Sequence, residues 1–437
     1  MEVMIACPLV LPDVGVELAE LEATVHAWGL RIQREALARA WAEQARLRPP
    51  GCCPSCQGAD LRPAGSKPRQ IETSFGPVRL RRRRVRCGDC GHHHQPDDAV
   101  LMPSLGKGRC TPALRELAAS CGASWPYRSA ARVLGRLRGA PLSPETVRTI
   151  VAQAGSAVAA QHTAEAVAAC RPPASAPEPM TPPPRLIVEL DGAWIRSHDN
   201  ALGMEAKVGV IHAGSERIGR TRTRLTERRY AATLTGVDQF GPLVTAAVEQ
   251  GNGYAALEQT VLGDAAAWIW TLRAAILAEA TPVLDRWHLA DARRRALRRV
   301  VSDAEERGGW AQRLEAQLEV GHVPGALEVL AALAQTLAPE ATAAAGVLAA
   351  FAAFLTNQTP RIPDYAARRA AGLPIGSGGV EKGVDVVVNR RCKGKRGMRW
   401  GRARAEGVLA LRVAELNDEW LPRLIPALHL PAQVPAF

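Results

Sequence analysis

The sequence contains no hydrophobic run long enough to cross a membrane. Its most apolar stretch, residues 341–355, is rich in alanine and shorter than the roughly 20 apolar residues of a membrane-spanning helix. The first ten residues do not resemble a signal peptide, because Asp13, Glu17 and Glu20 come before any long apolar region forms. These absences argue against the membrane and secreted classes, and we expect a soluble, cytoplasmic protein.

A disulfide framework is not expected either, because disulfides are rare inside cells. The ten cysteines are then reduced thiols or metal ligands. Four of them form two CxxC motifs separated by strand-like sequence: Cys53, Cys56, Cys87 and Cys90. Four thiolates in this pattern suit one tetrahedral, structural zinc ion. Cys52 or a histidine of 92–94 is an alternative ligand, and a chance cluster of buried thiols is the alternative to any metal.

Acidic residues are in deficit. The chain has 43 Asp and Glu against 55 Lys and Arg, a formal charge of +12, and a sequence pI near 9.6. The basic residues are mostly arginines, which pair bidentately with phosphate, so polyanions are the expected partners. A general use of arginine as surface charge is the alternative explanation for part of this excess.

No internal repeat is present, so the chain is not a repeat protein. Its 437 residues, 47% of them apolar, are enough for about three domains with real cores. The predicted divisions are an N-terminal helix (1–48), a zinc ribbon (49–100), a helical region (101–170), a proline-rich linker (171–184), the first part of a core (185–289), a helical insertion (290–370), the second part of the core (371–417) and a C-terminal tail (418–437).

The front half has the features of a DNA-binding region. Residues 79–86 (RLRRRRVR) place arginines on both faces of a predicted strand, which a packed sheet would not tolerate on its inner face. We therefore predict that Arg81, Arg82, Arg83 and Arg84 contact a phosphate backbone rather than form a solvated edge. Residues 111–155 read as three short helices and suggest a helix-turn-helix, although such helices also occur as simple packing units.

The back half alternates strands and helices. Residues 185–195 (RLIVELDGAWI) are an aliphatic run typical of a buried strand. The segments that follow predict the order strand, strand, strand, helix, strand, helix, strand, which is the ribonuclease H-like arrangement. The alanine-rich helices of 290–370 are then an insertion into this core.

Carboxylates stand where the predicted strands end. Asp191 ends the first core strand, and Glu189 shares its face because side chains repeat every two residues. Asp264 ends the fourth strand, which neighbours the first in this fold, so the two aspartates should converge. Converging carboxylates suit Mg²⁺ or Mn²⁺. An ion pair with an arginine is the alternative for Asp191.

Glu381 follows the loop Gly376-Ser377-Gly378-Gly379, which lets the chain turn sharply and begin a helix. The helix dipole would favour an ionised carboxylate in its first turn. Glu381 would complete a three-carboxylate site that holds two ions for phosphodiester chemistry. Asp385, one turn later, is the rival third acid.

Residues 390–404 (RRCKGKRGMRWGRAR) carry eight Lys or Arg and one Trp beside this site. We predict that they hold the DNA strand to be cut, with the tryptophan available for stacking on a base. The alternative is a solvated basic segment. The predicted contacts are Arg390, Arg391, Lys393, Lys395, Arg396, Arg399 and Trp400.

Five motifs in order, ELDGAWI, LGDAAAWIW, LDRWH, LPIGSGGVEKG and KRGMRWGRARAEGVLALR, make the chain resemble the DDE transposases of ISKra-type bacterial insertion sequences, relatives of the Mutator-like group. The resemblance runs from the cysteine motifs to about residue 417. It implies an α/β fold: a ribonuclease H-like catalytic core with an all-helical insertion, preceded by a zinc ribbon and a helix-turn-helix-like region.

The resemblance further implies metal-dependent cutting of element ends and their joining to target DNA. It places the catalytic triad on Asp191, Asp264 and Glu381, with two Mg²⁺ or Mn²⁺ ions. Asp285 and His288 match the D-x-x-H motif that supports the site in Mutator-like relatives, although His288 is alternatively a simple cap. The expected partners are terminal inverted repeats and target DNA, with no membrane and a homo-oligomer in the DNA complex. The protein would be associated with the nucleoid.

Two residues depart from the family pattern. Lys382 follows the glutamate where a small residue is expected, and Ala265 follows the second aspartate where glycine is usual. Lys382 could pair with Glu381 and compete with a metal. The alternatives to an active transposase are a domesticated or inactive copy that acts as a DNA-binding regulator, and a non-transposing nuclease of the same fold.

Overall fold

The computed structural model describes residues 10, 15–106, 108–171, 181–220, 222–394 and 397–428. They form two compact units, one made of residues 1–158 with 419–437 and the other of residues 159–418. The boundary lies inside a helix ahead of the proline-rich segment, of which residues 172–180 are outside the described part. None of the described helices is long and apolar enough to span a bilayer.

The first unit contains a small antiparallel sheet. Strands β1 (Leu61–Thr73) and β2 (Gly76–Cys87) form a hairpin, and β3 (His93–His94) pairs with the end of β2. On β2, Val78 and Leu80 are buried while their neighbours Arg79 and Arg81 are exposed, the alternation of a sheet with one covered face. Helix α1 (Leu18–Leu47) lies against this hairpin, where the indole of Trp41 donates a hydrogen bond to the Arg81 carbonyl.

Helices make up the rest of this unit. The predicted third short helix is in fact 26 residues long, because no glycine or proline after Gly155 interrupts it until the proline-rich segment. The predicted C-terminal tail contains a helix that packs on an earlier one, with Trp420 Nε1 donating to Glu116 Oε1 at 2.7 Å. The helices are α2 (Asp98–Leu105), α3 (Pro112–Ser124), α4 (Tyr127–Arg138), α5 (Pro144–Ala169), which runs into the second unit, and the last helix of the chain (Trp420–Leu428).

The second unit is built on a mixed five-stranded sheet, which confirms the expected α/β class. The central strand β4 (Arg185–Ile195) pairs antiparallel with β5 (Met204–His212). A protruding hairpin, β6 (Gly214–Arg217) and β7 (Thr223–Thr226), precedes β8 (Arg229–Thr233), which pairs antiparallel with β5. On the other side, β9 (Glu258–Gly263) runs parallel to β4, and β10 (Thr281–Leu284) runs parallel to β9. The order across the sheet is β10-β9-β4-β5-β8.

The β6–β7 hairpin was not predicted from the sequence. Its two strands have four residues each and are largely exposed, so they carry no alternation of apolar and polar residues that marks a strand. The β4 strand, in contrast, buries an aliphatic run on both faces, and the prediction from that run is confirmed.

Helices surround the sheet and fill the predicted insertion. Two of them, α6 (Val237–Gln250) and α7 (Ala267–Ile276), connect β8 to β9 and β9 to β10. Between β10 and the Gly-Ser-Gly-Gly loop the described chain is helical, as predicted. Its helices are α8 (Arg286–Val300), α9 (Ala304–Glu319), α10 (Val323–Gln335), α11 (Thr342–Gln358) and α12 (Tyr365–Ala370).

The segment after the glycine loop begins with α13 (Gly378–Val384), which packs on β4 and β5. A π-helical turn (Asp385–Asn389) and the short α14 (Arg390–Cys392) continue it without a break. After α14 comes α15 (Arg402–Leu416), and the C-terminal helix at Trp420–Leu428 is α16. The three valines, which favour extended structure by propensity, are buried in the π-helical turn.

Candidate functional site

The sheet brings Asp191 and Asp264 to one edge. Their preceding residues, Leu190 and Gly263, are partners at the end of the parallel β4–β9 pairing. Asp191 does not end its strand as predicted: β4 continues beyond it, because pairing with β5 persists through Asp191 and Val208. The relevant end is that of the β4–β9 pairing, because Asp191 and Asp264 each follow a member of its last pair, Leu190 and Gly263.

Asp191, Asp264, Glu381 and His288 share one electrostatic neighbourhood. Burial raises the pKa of Asp191, and the negative charges of Asp264 and Glu381 raise it further. A hydrogen bond that Gly192 donates to Asp191 Oδ1 at 2.7 Å and the nearby His288 act in the opposite direction. Asp264 and Glu381, from two other elements, are therefore near enough for their charges to act on the partly buried Asp191.

These carboxylates are not packed into a closed ligand cage. Within the described residues, only a group of four cysteines brings three or more ligand atoms within 4.8 Å of one another. Anionic groups repel one another when no counter-charge lies between them. The donor set is still one of hard oxygens, as Mg²⁺ and Mn²⁺ prefer, and side-chain rotation would have to bring the oxygens onto a shared ion.

Asp285 ties this site to the glycine loop. It is fully buried and caps α8, accepting hydrogen bonds from the N–H and Nδ1 of His288 at 2.7 and 2.9 Å. It also accepts from the N–H and Oγ of Ser377 at 2.5 and 2.8 Å. A side chain at Gly376 would lie 3.1 Å from the Trp287 ring, so glycine permits this close approach. Asp285 thus orients His288 and anchors the residue that precedes α13.

The charges around His288 favour its protonated form. Its hydrogen bond to Asp285 raises its pKa, burial lowers it, and the charges of Asp285, Asp264 and Asp191 raise it again. The net shift is upward. Asp285 and His288 are therefore joined by a side-chain contact as well as by the helix cap, and their supporting role at the site stays a prediction.

Glu189 on β4 contacts the first turn of α13. It is 3% exposed and accepts a hydrogen bond from the Val380 N–H at 2.7 Å, next to Glu381 in the chain. Its other oxygen contacts His212 Nε2 at 3.1 Å, and His212 Nδ1 lies 3.0 Å from the Gly214 carbonyl. A Cβ at Gly379 would come within 2.7 Å of the Glu189 carboxylate, so only glycine allows the helix to sit this close. This contact was not predicted from the sequence.

Glu381 and Asp385, the two candidates for the third carboxylate, have different surroundings. Glu381 lies in the first turn of α13, as predicted, and its charge reaches Asp191. Asp385 instead forms ion pairs with Lys382 at 3.4 Å and Arg390 at 3.2 Å. The expected competition of Lys382 for Glu381 is therefore not seen, because Lys382 reaches one turn forward to Asp385.

Two of the predicted DNA contacts in the basic segment are buried. Arg391 is 3% exposed and stacks over the ring of Trp400, which is 6% exposed. Trp400 donates from Nε1 to the Cys392 carbonyl at 3.1 Å, and its backbone forms a β-bridge with Ser197 after β4. The prediction that Trp400 stacks on a base and Arg391 binds phosphate is wrong, because this pair anchors the segment to the sheet.

The other basic residues of this segment have different surroundings. Arg390 is exposed but paired with Asp385, while Lys393 and Arg399 are exposed. Lys395 and Arg396 lie outside the described residues.

Only some of the arginines on β2 are exposed. Arg82 is 8% exposed and binds Asp98 at 2.7 Å, and Arg83 binds the fully buried Asp97 at 2.7 Å. The prediction that Arg82 contacts phosphate is wrong, because Arg82 is buried against Asp98. Arg83 is half-buried and paired with Asp97, and its phosphate contact stays a prediction. Arg81 and Arg84 are exposed, as are Arg79 and Arg86.

A second basic surface lies on α4 and was not identified from the sequence. Arg128, Arg132 and Arg136 recur every four residues and are all exposed, so they follow one face of the helix. The opposite face buries Ala130, Ala131 and Leu134, which alternate with the arginines along the sequence. This spacing was the available signal. The α3–α4 pair thus presents a basic stripe on its second helix.

The four predicted cysteines come together. Cys53 Sγ lies 3.6 Å from Cys90 Sγ, and Cys56 Sγ lies 3.6 Å from Cys87 Sγ. The two motifs are built alike, since Gln57 N–H donates to the Cys53 carbonyl and Gly91 N–H to the Cys87 carbonyl. Four thiolates about 2.3 Å from one ion in tetrahedral geometry would lie about 3.8 Å apart, close to the distances found. Neither Cys52 nor residues 92–94 belong to this group.

The hydrogen bonds of Asp285 should make the free energy of unfolding depend on pH. Burial would raise the pKa of Asp285, but the hydrogen bonds from His288 and Ser377 outweigh it and lower the pKa from 3.8 to about 2. A depressed pKa adds stability above the unfolded-state value, here about 2 kcal/mol, which disappears as the pH falls from about 4 towards 2. We expect Asp285→Asn to lower the free energy of unfolding by roughly 3 kcal/mol at pH 6 and by clearly less at pH 3.

Urea unfolding of the wild type and the variant at the two pH values measures this difference. Asp385→Asn, which alters a partly exposed ion pair, is the matched control and should cost less than about 1 kcal/mol at either pH. An equal loss for Asp285→Asn at both pH values would mean that the charge of Asp285 does not stabilise the fold.

Comparison with known proteins gives the chain a family but no activity. A Streptococcus gallolyticus protein described as the UPF0236 protein in the vanSb 3' region is 27% identical to it over 172 residues. That match covers 39% of this chain and 35% of the relative, about a third of the relative's length. Residues 13–418 match UPF0236, described as an uncharacterised protein family. Because this match takes in most of the sequence and both compact units, the chain belongs to the UPF0236 family.

Proposed function

We propose that the chain is a transposase that cuts the ends of a DNA element and joins them to target DNA. The observation that carries this proposal is that Asp191, Asp264 and Glu381, from β4, the end of β9 and α13, lie close enough for their charges to interact. The sheet order β10-β9-β4-β5-β8, with the β4, β5 and β8 strands antiparallel and β9 and β10 parallel to β4, supports this proposal because it matches the strand order expected for a ribonuclease H-like core. Acids at these positions support a phosphodiester chemistry of the DDE type.

The three carboxylates would hold the divalent cations. When bound, Mg²⁺ or Mn²⁺ would supply activation of the attacking oxygen and charge stabilisation of the leaving oxygen. The raised pKa of Asp191 and the mutual repulsion of the acids give a reason for a cation to bind there. His288, held by Asp285, stands at the same site with a charge of the sign that a phosphate attracts.

The protein's other groups position this site. Glu189 and Asp285 accept hydrogen bonds from the two ends of the turn that begins α13, at Val380 and Ser377. These contacts fix the start of the helix whose first turn carries Glu381. Fixed geometry matters because a carboxylate displaced by about 1 Å loses much of its catalytic effect.

The first unit would recognise DNA. We infer that the four-cysteine group is a structural zinc ribbon whose exposed arginines, Arg79, Arg81, Arg84 and Arg86, face the phosphate backbone. The α3–α4 pair would bind as a helix-turn-helix, with the stripe of Arg128, Arg132 and Arg136 towards DNA. Target DNA, terminal inverted repeats and a homo-oligomeric complex follow from the same proposal.

One observation favours the second candidate function, a DNA-binding regulator without catalytic activity. Within the described residues, the carboxylates do not lie within 4.8 Å of one another as the cysteines do. A chain that has lost catalysis would keep its basic surfaces and its cysteine group while its acids stayed apart.

Cleavage of DNA decides between the two. A plasmid that carries the coding region with its natural flanking DNA is incubated with the full chain in Mg²⁺, in Mn²⁺ and without either. The proposal predicts strand cuts at both element boundaries only when a divalent cation is present. Binding to these boundaries with no cut in either metal would instead establish the regulator.

A further inference from the structure

The β6–β7 hairpin is a basic, exposed segment of the second unit that the proposed chemistry does not use. We call residues 214–229 the basic hairpin. It contains six arginines and two acids, and five of the arginines are exposed. The arginines are Arg217, Arg220, Arg222, Arg224, Arg228 and Arg229.

A cleft of about 960 Å³ separates this hairpin from the loop that leads into α13. Its floor includes Arg185, Ile187 and Glu189, alternate residues on one face of β4. Asp191 is the next residue in that alternation, so the floor continues towards the carboxylates. From Arg185 to Asp191 the strand extends about 20 Å, the length of about six nucleotides at 3.4 Å each.

The charged side chains of the cleft that lack an oppositely charged partner within the described part of the chain are arginines. Arg222 and Arg228 line it and have no carboxylate partner among the described residues, whereas Arg224 pairs with Glu216 and Arg185 with Glu258. Glu189 is the one acid among its described lining residues. That carboxylate is buried, contacts His212 Nε2 and accepts a hydrogen bond from the Val380 N–H, so it is not exposed on the cleft surface as a free carboxylate.

An open, arginine-lined groove that continues from a phosphodiester-cutting site suits a phosphate backbone better than a small apolar ligand. We propose that the basic hairpin and its cleft bind the DNA duplex beside the phosphate that is cut. The inference rests on the proposed function for the position of that phosphate. The binding itself depends only on the cleft's own charges.

The test is the salt dependence of DNA binding by the full chain. Fluorescence anisotropy with a labelled 30-base-pair duplex of arbitrary sequence is measured without added Mg²⁺ between about 50 and 250 mM NaCl. We expect Arg222→Ala/Arg228→Ala to reduce the slope of log K against log[NaCl] by about 1.8, because each lost phosphate contact removes about 0.9. The variant Arg222→Lys/Arg228→Lys keeps both charges and should retain the slope.

The matched control is Arg298→Ala/Arg299→Ala, which removes two exposed arginines from α8 in the same unit. An unchanged slope in the cleft variant, or an equal reduction in the control, would overturn the inference. Failure of the cleft and failure of the proposed function are distinguishable. If the wild type cuts the plasmid but the cleft variant keeps its slope, only the proposed role of the cleft is rejected. If the slope falls but the wild type does not cut, only the proposed catalytic function is rejected.

Discussion

Asp191→Asn and Glu381→Gln should each reduce metal-dependent cutting of element ends by roughly 10³-fold or more, while DNA binding stays within about twofold of the wild type. Each substitution removes a negative charge that a divalent cation would need, yet keeps the size of the side chain. Binding should be preserved because, in the proposed function, it depends on the exposed arginines of the β1–β2 hairpin, of α4 and of the basic hairpin.

Asp385→Asn is the control for Glu381→Gln, because Asp385 lies one turn further along and is paired with Lys382 and Arg390. It should keep at least about half of the wild-type rate. If Asp385→Asn stopped the cutting and Glu381→Gln did not, the third carboxylate would be assigned to the wrong residue.

Cys53→Ser should remove the zinc ion and unfold residues 50–95. Zinc held by four thiolates contributes about 10–16 kcal/mol to the folding of small domains, far more than the small apolar cluster of this hairpin would supply. Elemental analysis of the purified wild type should give about one zinc per chain. Limited proteolysis of the variant should then cut within the hairpin.

Cys52→Ser is the control, since Cys52 is exposed and does not belong to the group. It should keep its zinc and its resistance to protease. A well-folded wild-type protein that contains no zinc would contradict the zinc ribbon directly.

The sequence predicted those parts of the fold that depend on apolar patterning. The aliphatic run of β4 and the strands around it are recognisable because a buried strand cannot carry many polar side chains. The four cysteines and the helix start before Glu381 were also predictable, because each rests on local spacing or on local glycine chemistry.

The burial of several arginines was not predicted from the sequence. Arg82, Arg83 and Arg391 looked like a basic surface, but each has a partner in a later element or loop: Asp98, Asp97 and the ring of Trp400. Long-range partners cannot be read from local pattern, and the methylene stem of arginine tolerates burial when its charge is met. The contact of Glu189 with α13 escaped for the same reason, since 191 residues separate the two groups.

We propose that Asp264, and not Asp285, shares a metal-dependent site with Asp191. Both aspartates follow a strand, but β9 is paired with β4 whereas β10 is one strand further out. Asp285 is already occupied by four hydrogen bonds from His288 and Ser377, which leaves it no free role as a metal ligand.

The most direct measurement is the initial rate of DNA cutting by Asp264→Asn and Asp285→Asn, side by side, at one saturating Mn²⁺ concentration and a temperature at which both are folded. We expect Asp264→Asn to show no detectable cutting. The cutting rate of Asp285→Asn should be about 10- to 100-fold lower than that of the wild type but still measurable. Cutting by Asp264→Asn together with its loss in Asp285→Asn would contradict the account.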